Sequence, residues 1–166
     1  MPRQAPTTRP MDPRDVPRLA EMIRSVETFS PEEIACALEL VDLAAQPGNA
    51  DYRVLVAEAP GDGGIAGYAC YGPTPMTRRT FDLYWIATRP AARGSGTGRA
   101  LHDAVVAAVG RAGGRTLRVE TSARDAYGAS RRFYERAGYG QVGRIDDFYD
   151  EGDHLVILSL AIDGAA

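Results

Sequence analysis

The chain has 166 residues, and its 19 basic and 22 acidic residues leave a net charge of -3, which offers no electrostatic handle for a nucleic acid or an acidic membrane surface. With 45% hydrophobic and 25% charged residues it holds enough apolar material for one globular domain, expected over residues 1 to 166 with a core of about 7 to 162. All the basic residues are arginine, which excludes a lysine Schiff base, a P-loop lysine and a lysine general base.

Cys36 and Cys70 are the only cysteines, so neither a disulfide framework nor a thiolate metal site is expected, and both read as buried thiols. The N-terminus MPRQAPTTRP lacks a signal-like apolar stretch, and no apolar run approaches the roughly 20 residues that span a bilayer, so the expected location is the cytoplasm.

Val16, Leu19, Ala20 and Ile23 recur at helical spacing and predict a first helix, preceded by a short strand near Thr7 to Met11. In Ser30-Pro31-Glu32-Glu33 a serine cap, a proline at the first helical position and an acid three residues after the cap open a second helix. Its apolar stripe is Ile34, Leu38, Val41 and Ala45, and Pro47-Gly48-Asn49 stops it. Tyr52 to Ala59 and Ile65 to Tyr71 predict antiparallel strands joined by the glycine-rich turn after Pro60.

A third strand, about Thr80 to Thr88, leads through a glycine-rich loop into a helix over Arg99 to Ala112. Leu117 to Thr121 reads as a strand, Tyr127 to Ala137 as a short helix ended by Gly138, and Gly140 to Phe148 and Leu155 to Ile162 as two last strands. The fold class is therefore α/β with a mixed sheet: mainly antiparallel strands first, then a β-α-β crossover.

Arg93-Gly94-Ser95-Gly96-Thr97-Gly98 lies between a strand and a helix, where small residues let backbone N–H groups converge on an anion. The start of the next helix adds unsatisfied donors and the positive end of its dipole, and Arg93 a charge-assisted bond. The loop lacks the Gly-Lys-Ser/Thr of a P-loop, and Arg99 stands where a dinucleotide-binding GxGxxG needs its last glycine.

Arg93-x-x-Gly96-x-Gly98, following Leu83-Tyr84-Trp85-Ile86-Ala87-Thr88, resembles the CoA-binding motif of the GNAT acetyltransferases. Tyr127-Gly128-Ala129-Ser130-Arg131-Arg132-Phe133-Tyr134-Glu135-Arg136-Ala137-Gly138-Tyr139 resembles that family's second motif. The resemblance implies an acetyl-CoA-dependent N-acetyltransferase, with acetyl-CoA as co-substrate. The backbone of Trp85, Ile86, Ala87 and Thr88 would bond the pantetheine arm, and residues 93 to 98 (Arg93, Gly94, Ser95, Gly96, Thr97, Gly98) would hold the pyrophosphate. It also places Tyr134 beside the CoA sulfur as the acid. Tyr127 stands where many relatives carry an asparagine that contacts pantetheine, and it reads equally as part of a structural aromatic stripe with Tyr134.

Removing a proton from an ammonium acceptor calls for a carboxylate, and Asp82, Glu120 and Glu27 are the candidates. Glu120 lies in a strand and reads either as that base or as an exposed strand residue; Asp82 alternates with Phe81 and Leu83 and equally suits the polar side of its strand. By the resemblance, Glu27 and Phe29, in the turn between the first two helices, and Asp147, after the second motif, are the candidates for the acceptor site, with plain loops as the competing reading. His102 and His154 have no third ligand at metal spacing, so no metal is expected.

The expected activity is transfer of acetyl to a primary amine of a small molecule, an amino-acid-like acceptor being one option, by direct attack in a ternary complex. The alternative is a domain that binds acyl-CoA for regulation or interaction and performs no chemistry. The expected partners are that amine and, by the resemblance, a second copy in a homodimer; no nucleic acid and no membrane is expected.

Overall fold

The computed structural model describes residues 6–61 and 63–163. Among these residues are four α-helices and a mostly antiparallel seven-stranded sheet whose strands, numbered along the chain, lie in the order 1-2-3-4-5-7-6. The described residues group into two compact units, those up to 73 with 83–108, and 74–82 with those from 109 onward, so that β4 (Thr80–Thr88) belongs in part to each.

In the first unit, β1 (Thr8–Pro10) pairs antiparallel with β2 (Arg53–Glu58), which pairs antiparallel with β3 (Ile65–Pro73), as the turn after Pro60 predicts. β3 is buried from Ile65 to Gly72, which explains its nearly unbroken apolar sequence. α1 (Val16–Arg24) turns Leu19, Met22 and Ile23 inward. α2 (Pro31–Ala44) starts at the predicted capping box: the Glu33 amide donates to Ser30 Oγ at 3.1 Å and the Ser30 amide to Glu33 Oε2 at 2.8 Å. Both helices join β2 and β3 in one core around Ile23, Ala37, Val41, Val56 and Tyr68.

α3 (Thr97–Arg111) starts two residues before the predicted Arg99, inside the glycine loop itself. Cys36, on α2, is exposed where a buried thiol was expected, because the helix buries only its Ala37 and Val41 side; Cys70, on β3, is buried as expected.

In the second unit, β5 (Thr116–Ser122) runs parallel to β4, with Thr80, Phe81 and Asp82 opposite Thr116, Leu117 and Arg118. On its other edge β5 pairs antiparallel with β7 (Asp153–Ala161) along its whole length, and β7 with β6 (Gly140–Asp150). α4 (Gly128–Arg136) is shorter at its start than predicted: Tyr127 is its cap residue, closing a single 3-10 turn from Asp125. Gly138 ends it at φ +97°, a left-handed conformation suited to glycine.

Candidate active site

The glycine loop begins after one 3-10 turn, Pro90–Ala92. Gly94 and Gly96 take φ values of +72° and +87°, which other residues resist, and a Cβ on either would meet nothing within 4 Å. Glycine is thus demanded here by conformation, while the space above the backbone stays open to a ligand. The hydroxyls serve the loop itself: Ser95 Oγ donates to the Ala92 carbonyl at 2.5 Å and lies 2.7 Å from Thr97 Oγ1, and Thr97 is buried. Binding is left to the backbone. The amides of Thr97, Gly98 and Arg99 fall in the first turn of α3, where an α-helix has no acceptor for them and its dipole is positive. Donors, positive potential and open space together fit a pyrophosphate.

Arg93, the loop's cation, is half-exposed and lies 3.7 Å from Glu27 Oε2. The turn that carries Glu27 also carries Phe29, whose ring meets Trp85 edge-on at 5.0 Å between centroids. Trp85, Ile86, Ala87 and Thr88 are all half-buried, unlike the buried Phe81 to Leu83 earlier on the same strand. Gly67 lets β3 approach this stretch, since a Cβ there would stand 2.7 Å from the Ala87 carbonyl oxygen. Within the first unit, then, the predicted acceptor residues Glu27 and Phe29 touch two of the predicted cofactor residues.

In the second unit Asp82 and Glu120 prove to be parts of one cluster. Arg118 Nε donates to Asp82 Oδ1 at 2.6 Å, Thr74 Oγ1 donates to Asp82 Oδ2 at 2.8 Å, and Arg118 Nη1 lies 3.5 Å from Glu120 Oε1. Asp82 is 7% exposed, whereas the Glu120 side chain keeps 43% of its surface. Sequence reasoning passed over Arg118 and Thr74. The signal available for Arg118 was its place two residues before Glu120 on the same face of a strand.

Tyr134 is buried on α4, with ring centroids 5.5 Å from Phe133 and 5.2 Å from Tyr139. Burial pushes its phenol pKa well above the ordinary value, so it keeps its proton at neutral pH. Tyr127, as the cap residue of α4, is half-buried. Asp147 sits at φ +51°; its amide donates to His154 Nδ1 at 2.9 Å and its Oδ1 accepts from the Gly152 amide at 2.8 Å, so it shapes the β6–β7 hairpin while staying exposed. His102 is buried in α3, and burial lowers its pKa. Among the described residues, no three His, Cys, Asp or Glu side chains are grouped to hold a metal ion, and no helix is long and apolar enough to cross a membrane.

Residues 50–141 match the model of the acetyltransferase (GNAT) domain, and the chain belongs to that family. It is similar to a crystal structure from Desulfovibrio desulfuricans assigned to the GNAT acetyltransferases, with 43% identity over 96% of this chain and 100% of that one and a TM-score of 0.90. The same fold occurs in the ribosomal-protein-S18-alanine N-acetyltransferase of Escherichia coli, 22% identical over 97% of this chain and 96% of that one, TM-score 0.75. It occurs also in yncA of Salmonella typhimurium, solved with its cofactor acetyl-CoA, 21% identical over 98% and 97% of the two chains, TM-score 0.73. No curated protein matches the chain.

Proposed function

We propose that this chain transfers the acetyl group of acetyl-CoA to the primary amine of a small molecule, by direct attack while both substrates are bound. The observation that carries the reading is the open glycine loop, with left-handed Gly94 and Gly96 running into the first turn of α3. That geometry suits a pyrophosphate without any lysine. Acetyl-CoA supplies an activated thioester. Residues 93 to 98 bind its pyrophosphate, with Arg93 adding charge, and the backbone of Trp85 to Thr88 lines its pantetheine arm. By motif position Tyr127 is assigned to that arm, and Glu27, Phe29 and Asp147 to the acceptor.

A carboxylate, Glu120 or Asp82, takes a proton from the acceptor ammonium and leaves a neutral amine. The nitrogen lone pair forms the C–N bond to the acetyl carbon as the C–S bond breaks, and Tyr134 gives its proton to the departing sulfur. The nitrogen then loses its second proton, which restores Tyr134, so the products are the amide, CoA and one proton released through the carboxylate. A phenol is protonated at neutral pH and so can give its proton to the departing thiolate.

The test is titration calorimetry with acetyl-CoA on the wild type and on Gly96→Glu, which puts bulk and negative charge above the loop. Micromolar binding that the variant abolishes supports the reading; a wild type that does not bind overturns it. Release of CoA thiol with a panel of amines then separates a transferase from a domain that only binds acyl-CoA.

A further inference from the structure

Asp82 and Glu120 are two carboxylates of one cluster, yet their surroundings differ in kind. Asp82 has both carboxylate oxygens engaged, one by the Arg118 guanidinium at 2.6 Å and one by the Thr74 hydroxyl at 2.8 Å, and it is buried. To accept a proton it would have to give up a charge-assisted bond and leave a guanidinium short of its partner in a partly desolvated place. Glu120 meets the same guanidinium at 3.5 Å and keeps its other side toward solvent. The parallel register sets Asp82 directly opposite Arg118, and strand alternation puts Glu120 on the same face of β5 as Arg118.

We infer that Glu120 is the proton acceptor for the amine, that Asp82 is its anchor and not a base, and that Arg118 is a positioning residue: fastened to Asp82, its guanidinium holds the Glu120 carboxylate in place. This rests on the transferase reading above. The division of labour follows from access: a carboxylate that receives a proton from a diffusing acceptor must be reachable, and the residue that orients it must be fixed from behind.

The experiment measures CoA thiol release by the full chain with acetyl-CoA and the best acceptor among propylamine, amino acids and polyamines, beside calorimetric affinity for acetyl-CoA. Glu120→Gln is expected to lower kcat by about 100-fold with acetyl-CoA affinity within about twofold of wild type. Arg118→Gln leaves the buried Asp82 charge stranded, so it is made together with Asp82→Asn, where an amide pair replaces the ion pair. That double variant is expected to lose about tenfold in kcat, and to add no further loss on a Glu120→Gln background, so that the triple variant stays near the roughly 100-fold loss of Glu120→Gln alone. Arg118→Lys combined with wild-type Asp82 is expected to recover part of the rate.

Losses that multiply in the triple variant would show that Arg118 acts apart from Glu120 and overturn the inference alone. Undiminished turnover by Glu120→Gln would overturn the inference together with the base role of Glu120. A wild type that releases no thiol with any of the amines would instead bring down the transferase reading beneath both.

Discussion

Phe29 stands edge-on to Trp85, with 5.0 Å between ring centroids and 63° between their planes, so the turn joining α1 to α2 is pinned to the strand proposed to carry the pantetheine arm. Such a pair is worth about 1 kcal/mol beyond the area it buries. Phe29→Ala is expected to raise KM for the amine at least fivefold, while acetyl-CoA affinity by calorimetry shifts by less than threefold. A change confined to acetyl-CoA would move Phe29 from the acceptor side to the cofactor side.

Tyr134 offers a separate handle on the chemistry. Its ring packs against Phe133 and Tyr139 through carbon, so Tyr134→Phe preserves that packing and removes only the hydroxyl. Turnover is expected to fall about 100-fold with acetyl-CoA affinity nearly intact. Wild-type turnover in this variant would remove Tyr134 from the acid role.

Asp15 ties down the start of α1. Its carboxylate accepts from Arg9 Nη1 at 2.6 Å, from Arg18 Nη2 at 2.8 Å and from the Asp12 amide at 2.8 Å, and it is buried. The Arg9 hydrogen bond, above all, lowers its pKa to about 2. The folded pKa lies below the unfolded one, so its contribution is complete above about pH 5 and is lost as pH falls through 4 toward 2. The amount is on the order of 2 kcal/mol. Urea unfolding from pH 6 down to pH 3 is expected to show about half of this loss, and Asp15→Asn to be less stable at pH 6 with a flatter pH dependence. An equal slope in both proteins would exclude Asp15 as its source.

The two thiols are expected to behave differently. Cys36 is exposed on α2, while burial pushes the Cys70 thiol up to about 12. At pH 8 an aromatic disulfide reagent is expected to titrate one thiol in the native chain and two after denaturation, and Cys36→Ser to abolish the native reaction. Two fast native thiols would contradict the burial of β3.

Gly72 illustrates a constraint of space and not of conformation. A Cβ there would stand 1.8 Å from the carbonyl oxygen of Asp51, a backbone atom that cannot swing aside. Gly72→Ala is expected to cost about 3 kcal/mol, read as a lowered denaturation midpoint. A midpoint within error of wild type would mean that the backbone at Asp51 yields freely.

Features fixed by local physics could be read directly from the sequence. The Ser30–Glu33 capping box, the strand limits Thr80–Thr88 and the left-handed Gly138 depend on neighbours a few residues away, and each occurs where it was expected. The glycine loop was legible for the same reason, since left-handed φ at Gly94 and Gly96 is a property of those residues and not of distant packing. Motif order along the chain then sufficed to indicate the GNAT family.

Relations between distant residues required the tertiary structure. Asp82 stands between Phe81 and Leu83 and Glu120 between Val119 and Thr121, so strand periodicity assigns each a face without saying what covers it. The parallel register of β4 and β5, set by packing, brings Arg118 to Asp82 across 36 positions and so distinguishes a buried, doubly bonded carboxylate from a reachable one. Likewise Cys36 looked buried from its helical context, but which flank of α2 meets the core was decided by Ala37 and Val41 and the partners they found. The elements and the glycine loop are legible in the residues because backbone conformation is locally encoded; which side chains act together emerges only on folding, because burial and pairing are properties of assembled surfaces.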